Sequence, residues 1–103
     1  MKIKILEKEV QKSILEYLVM KKIFHYRNNT GVSFTKEGGM YRYGAVGSPD
    51  IICVIKGQYI GIECKSSFGK QSDGQIEFQK KLEEVGGRYI LAHSIDNVIE
   101  AGI

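Results

Sequence analysis

Tryptophan is absent, proline occurs once and cysteine twice in this chain of 103 residues. Cys53 and Cys64 are too few for a disulfide framework, and no second pair exists to build a zinc site. Both are expected as reduced core residues. No apolar run approaches the ~20 residues of a membrane span. The N-terminus, MKIKILEKEV, mixes charged and apolar residues and has no signal-peptide apolar segment. The chain is therefore expected in the cytoplasm or nucleoid, and the expected setting is a bacterial or phage-infected cell. His25 and His93 fall in separate predicted strands, so no Ser/His or Cys/His nucleophile is in prospect. Both histidines read as structural.

What is present is ordinary for a folded chain. Hydrophobic residues make up 43% and charged residues 26%, which argues against disorder. The length allows one domain, 1–103, with one modest core. The net charge of +3 is unevenly spread. Residues 1–48 hold nine Lys/Arg against four Asp/Glu, a net of +5, and residues 49–103 hold six against eight, a net of −2. A basic half beside a half with fixed carboxylates suits a protein that holds a polyanion and a divalent metal. It also suits a solvated surface with no partner.

Residues 4 to about 22 carry apolar side chains at helical spacing: Ile3, Leu6, Val10, Ile14, Tyr17 and Leu18, flanked by Leu15. Glu7 sits inside that stripe and Gln11 borders it, while Glu9 falls on the opposite face. A carboxylate on a buried face is costly unless paired. Glu7 therefore either reaches solvent at the helix start or points into a site. IFHYRNN (23–29) alternates and predicts a strand. Residues 30–48 show no stable period and read as a long flexible loop of glycines, tyrosines and basic residues, the composition of a loop wrapping a phosphate backbone.

DIICVIK (50–56) predicts a central strand, and a turn through Gly57 leads to a second strand, Tyr59 to Lys65. Ser72 and Gln75 form a Ser-x-x-Gln capping box. The helix it starts runs to about Val85, with Phe78, Leu82 and Val85 as its core face, and ends at Gly86-Gly87. RYILAH (88–93) is a further strand, and Ser94 starts a short final helix. The expected order is α-β-β-β-α-β-α.

Asp50 stands at the start of the most buried strand, behind Pro49. Glu63 and Lys65, at i and i+2, share one face of the next strand while Cys64 points into the core. A hairpin brings Asp50 near Glu63, and two carboxylates that close repel unless a proton or cation intervenes. The residues leave two readings: a surface ion pair of Glu63 with Lys65, or a divalent cation using both carboxylates. Gln75 and Gln79, one turn apart on the following helix, border the same region.

Pro49-Asp50 followed by Glu63-Cys64-Lys65 resembles the PD-(D/E)xK signature of restriction-endonuclease-like nucleases. With Glu7-x-x-Val10-Gln11, GAVGSPDI (44–51), IECK (62–65), Gly69 through QIEFQ (75–79) and GGRYILAHS (86–94), nearly the whole chain is similar to the virus-type replication-repair nuclease (VRR-NUC) domain. The resemblance implies an α-β-β-β-α-β core with a mixed sheet flanked by helices, plus the short C-terminal helix. It implies Mg²⁺ or Mn²⁺ held by Asp50, Glu63 and the main-chain carbonyl of Cys64, with Glu7 as a further carboxylate, directly or through water. Lys65 would orient or help deprotonate the attacking water, and Gln75 would belong to the catalytic group. The Cys64 position, commonly aliphatic in the family, is the one small departure.

The expected activity is metal-dependent hydrolysis of DNA phosphodiesters by a structure-specific endonuclease on branched DNA such as four-way junctions. The alternative is a non-catalytic nucleic-acid-binding module on the same fold. Arg27, Asn29, Lys36, Arg42, Lys70 and Gln79 are the expected nucleic-acid contacts, with Lys36, Arg42 and Lys70 on phosphates. Two symmetric cuts need two centres, so a homodimer is expected, with Ile3, Ile5, Leu6, Ile99 and Ile103 as interface material.

Overall fold

Strand pairing around one glycine turn sets the frame. β4 (Ile51–Ile55) and β5 (Gln58–Cys64) are antiparallel, joined by Lys56 and Gly57 alone. Both turn residues have positive φ, 50° and 80°, which is the type I′ geometry that matches strand twist in a two-residue hairpin. The computed structural model, which describes residues 4–103, sets this hairpin at the centre of a four-stranded sheet of order β1-β4-β5-β6. β1 (His25–Arg27) pairs antiparallel with β4, and β6 (Arg88–Ala92) pairs parallel with β5. The result is an α/β fold with a mixed sheet.

Alternation in β4 and β5 sends Ile51, Cys53, Ile60, Ile62 and Cys64 to one face, where α1 (Glu7–Met20) and α3 (Ile95–Glu100) cover them. Val10, Ile14 and Leu18, at i, i+4 and i+8, are the buried residues of α1. Ile14 and Leu18 are wholly inaccessible, and each such burial stabilises by roughly 1.5–3 kcal/mol. Ile14→Ala would leave a cavity and cost roughly 2–5 kcal/mol. Both cysteines are free and buried in this core. Burial pushes the Cys53 thiol up to about 11, so it stays a neutral core group. Among the described residues, no helix is long and apolar enough to cross a membrane.

The other sheet face carries α2 (Asp73–Glu84), whose Phe78 ring lies 6.4 Å from that of Tyr89 on β6. The expected capping box is present: Ser72 Oγ accepts from Gln75 N at 3.2 Å, and Gln75 Oε1 accepts from Ser72 N at 2.8 Å. The expected core face of α2 is corrected in part. Phe78 and Leu82 are half-buried, but Val85 is 83% exposed. It lies at the C-cap, where the helix has run past β6.

Residues 30–48 are not the expected loop. They contain a second, two-stranded sheet, β2 (Gly31–Phe34) and β3 (Met40–Tyr43), paired antiparallel from Gly31↔Tyr43 to Phe34↔Met40. Thr35 closes the turn, accepting from Gly38 N and, through its hydroxyl, from Gly39 N at 2.8 Å. Each strand has four residues, too short for alternation to stand out among glycines and charges. The order therefore gains two strands. One interface expectation also changes: Ile103 is buried in the core. Ile5 and Leu6 lie just before α1 and are exposed. Ile3 lies outside the described residues.

Candidate metal centre

Asp50 is delivered by a clamp. Asn28, just past β1, donates its amide N–H to Asp50 O at 2.8 Å. Its side chain donates to Ser48 Oγ at 2.8 Å and Pro49 O at 3.0 Å. Pro49 is buried against Gly61, where any Cβ would collide with the proline ring. The half-buried Asp50 side chain then reaches across the hairpin, and Oδ2 accepts from Cys64 N at 2.8 Å. A strand residue directs its N–H and C=O to the same neighbour. The Cys64 carbonyl, expected as a ligand, therefore lies on the edge facing Asp50.

Glu63 is the only buried charged residue among those described, at 3% exposure. Oε1 accepts from Gln75 Nε2 at 2.9 Å and faces Lys65 Nζ at 3.9 Å. Oε2 is fully buried and no donor reaches it, which ordinarily costs an ionised carboxylate about 1–3 kcal/mol or more; a proton held here would be shared with Asp50. Burial, with the neighbouring Asp50 and Glu7 charges, pushes the Glu63 carboxyl up to about 8 against the opposing pull of Lys65.

Glu7 completes the cluster. One carboxylate oxygen each from Glu7, Asp50 and Glu63 lies within 4.8 Å of the others. Of the two readings left open for Glu7, each holds in part: it is exposed at the start of α1, and one of its oxygens lies with those of the other two carboxylates. Glu9 in the same turn is exposed and outside the cluster. Ser67 fixes how the chain enters α1, bonding Ile5 N through Oγ at 2.8 Å and donating its own N–H to Ile5 O at 3.1 Å. Hard oxygen donors around an unpartnered buried oxygen fit a divalent cation of the Mg²⁺ or Mn²⁺ kind. The two glutamates and Asp50 could hold it, with Lys65 at the rim.

Other expected contacts lie farther out. Arg27 is exposed and lines a groove with Gln11 and Lys12 of α1. Asn29, Lys36, Arg42 and Lys70 are solvent-facing. Gln79 is half-buried and accepts from Gln71 Nε2 at 2.8 Å. His25 and His93 each engage a backbone carbonyl, of Ile23 at 2.7 Å and Gly69 at 2.9 Å. Sequence reasoning missed Asn28 and Ser67. Only the register opposite Asp50 and the crossing of residue 5 distinguish them from any surface Asn or Ser. Compared with protein-family models, with curated proteins and with solved structures, the chain matches none.

Proposed function

We propose that the protein is a metal-dependent DNA nuclease on a restriction-endonuclease-like core of the VRR-NUC kind, acting on branched DNA as a homodimer inside the cell. The observation that carries this reading is the buried, unpartnered Glu63 Oε2 beside Asp50 and Glu7. A surface ion pair leaves its carboxylate exposed and needs neither of the other two acids. A Mg²⁺ or Mn²⁺ ion held by these oxygens supplies positive charge to the scissile phosphate and acidifies a water.

The chain's own residues do the rest. Cys64 N–H locks Asp50, Gln75 aims Glu63, and the Lys65 ammonium stands beside them to meet charge developing on the phosphate. The basic groups Arg27, Lys36, Arg42 and Lys70 lie outside this centre, where they can take flanking phosphates. Each phosphate neutralised steepens the log–log salt dependence by about 0.9. With Ile103 in the core, Ile5, Leu6 and Ile99, 40%, 44% and 48% exposed, remain for self-contact.

The test is incubation with supercoiled, linear, single-stranded and four-way-junction DNA under Mg²⁺, Mn²⁺ or EDTA. Cleavage should require the cation and disappear in Asp50→Asn and Glu63→Gln, both of which should fold. Binding without turnover in any cation would leave the non-catalytic module. A light-scattering mass near 11.6 kDa would remove the dimer without touching the nuclease reading.

A further inference from the structure

The root of the β2–β3 ribbon opens into a recess of about 160 Å³, lined by Gly31, Arg42, Tyr43, Val46 and Gly47 among others. Tyr43 stands opposite Gly31 in the ribbon register. A Cβ on Gly31 would sit 2.5 Å from the Tyr43 hydroxyl oxygen and 2.8 Å from Cζ. The ring therefore lies over the glycine and occupies the space a side chain would need. It is nevertheless 45% exposed, so part of the residue stays open to solvent. A tyrosine ring set against main chain and partly open is a surface on which a base can stack. The exposed Val46 lines the recess beside it and offers an apolar edge to a flat heterocycle.

One wall of the recess, at Gly47, leans on the element that aims the candidate metal centre. Gly47 packs against the first turn of α2, where a Cβ would collide with the Gly74 carbonyl and lie 2.9 Å from Gln75 N. Gln75 is the residue whose side chain donates to Glu63. One residue thus separates the recess from the buried carboxylate. A strand whose phosphate sat at the carboxylates would run past Gln75 and Gly47 toward the recess.

We infer that this recess is a nucleobase subsite for one unpaired nucleotide of the DNA strand, adjacent to the phosphate at the carboxylate centre. A base inside a duplex has both faces stacked and cannot offer one to Tyr43. The subsite therefore selects DNA with an unpaired base beside the cleavage position. The inference rests on the nuclease reading for which phosphate is meant, but base binding can be measured without turnover.

The experiment uses the whole chain in EDTA with two probes, a fully paired duplex and the same duplex carrying one unpaired 2-aminopurine. The protein should bind the second about tenfold more tightly, the scale of one base stacked on an aromatic ring. It should also quench the 2-aminopurine fluorescence. Tyr43→Phe should keep both effects. Tyr43→Leu should abolish both while leaving affinity for the paired duplex unchanged, which also shows that the variant is folded. Gly31→Ala, which displaces the ring without removing it, should reduce both. Equal affinity for the two probes, or a preference and quenching that survive Tyr43→Leu, would overturn the subsite. Cation-dependent cleavage without any preference overturns the subsite and leaves the nuclease. Preference and quenching lost in Tyr43→Leu, with no cleavage in Mg²⁺ or Mn²⁺, leave the subsite and overturn the nuclease.

Discussion

Gln75 donates its side-chain amide to Glu63 Oε1 at 2.9 Å while its Oε1 accepts from Ser72 N at 2.8 Å. One side chain both caps α2 and aims the buried carboxylate. The helix start is therefore registered on the candidate site, and these two roles can be separated. Gln75→Ala should cost about 1–2 kcal/mol of stability, from a lost cap bond and a lost hydrogen bond to the buried Glu63 carboxyl. It should also lower cleavage by roughly 10–100-fold, the usual effect of removing a ligand's orienting partner. Gln75→Glu keeps the box, because Glu serves equally at N3, but loses the donor to Glu63. Its helix content should hold while cleavage and the Mg²⁺ concentration for half-maximal rate suffer as in Gln75→Ala. Wild-type rates in Gln75→Glu would disconnect the two residues.

Glu63 gives a pH signature. Its carboxyl is pushed up to about 8 from an ordinary value of 4.5, by burial first and then by Asp50 and Glu7. A raised native value means that the folded chain holds this proton more tightly than the unfolded chain. The stability so contributed is full below about pH 4.5 and is lost as pH rises through about 8. Thermal melts in EDTA should fall across that window for the wild type and much less for Glu63→Gln. Mg²⁺ at the upper end should recover the loss by binding the folded state alone. Parallel melting profiles for the two proteins would contradict this.

Glu7 and Glu9 share the exposed first turn of α1. Neutralising either should change stability alike, by within about 0.5 kcal/mol. Only Glu7 joins the carboxylate cluster. Glu7→Gln should therefore lower the cleavage rate by roughly 10–100-fold, and Glu9→Gln should leave it near wild type. The reverse ranking in a cleavage assay would remove Glu7 from the site.

Asn28 and Asn29 are adjacent and chemically identical, yet Asn28 holds Ser48, Pro49 and Asp50 while Asn29 faces solvent. Urea unfolding should show Asn28→Ala destabilised by about 1–3 kcal/mol and Asn29→Ala by less than about 0.5 kcal/mol. Equal effects would show that the clamp does not hold Asp50.

The chain order alone determined the pieces governed by short-range rules. Period-two alternation put Glu63 and Lys65 on one face with Cys64 beneath, because successive strand residues must alternate. Lys56-Gly57 set the hairpin that carries Asp50 across to Cys64, and Ser72 with Gln75 set the start of α2. Tertiary structure decided what depends on contacts between distant segments. Glu7 is exposed because packing of α1 begins only at Val10. Asn28 acquires its role only by lying beside Asp50 in the β1–β4 pairing. Ile103 is buried because the chain end folds under α1, where Tyr17 donates its hydroxyl to the Ile103 carbonyl at 2.7 Å. The β2–β3 ribbon rests on pairing between two four-residue strands, with the Tyr43 ring over Gly31. No local pattern encodes such a contact, since the energy that favours it appears only when the two strands meet.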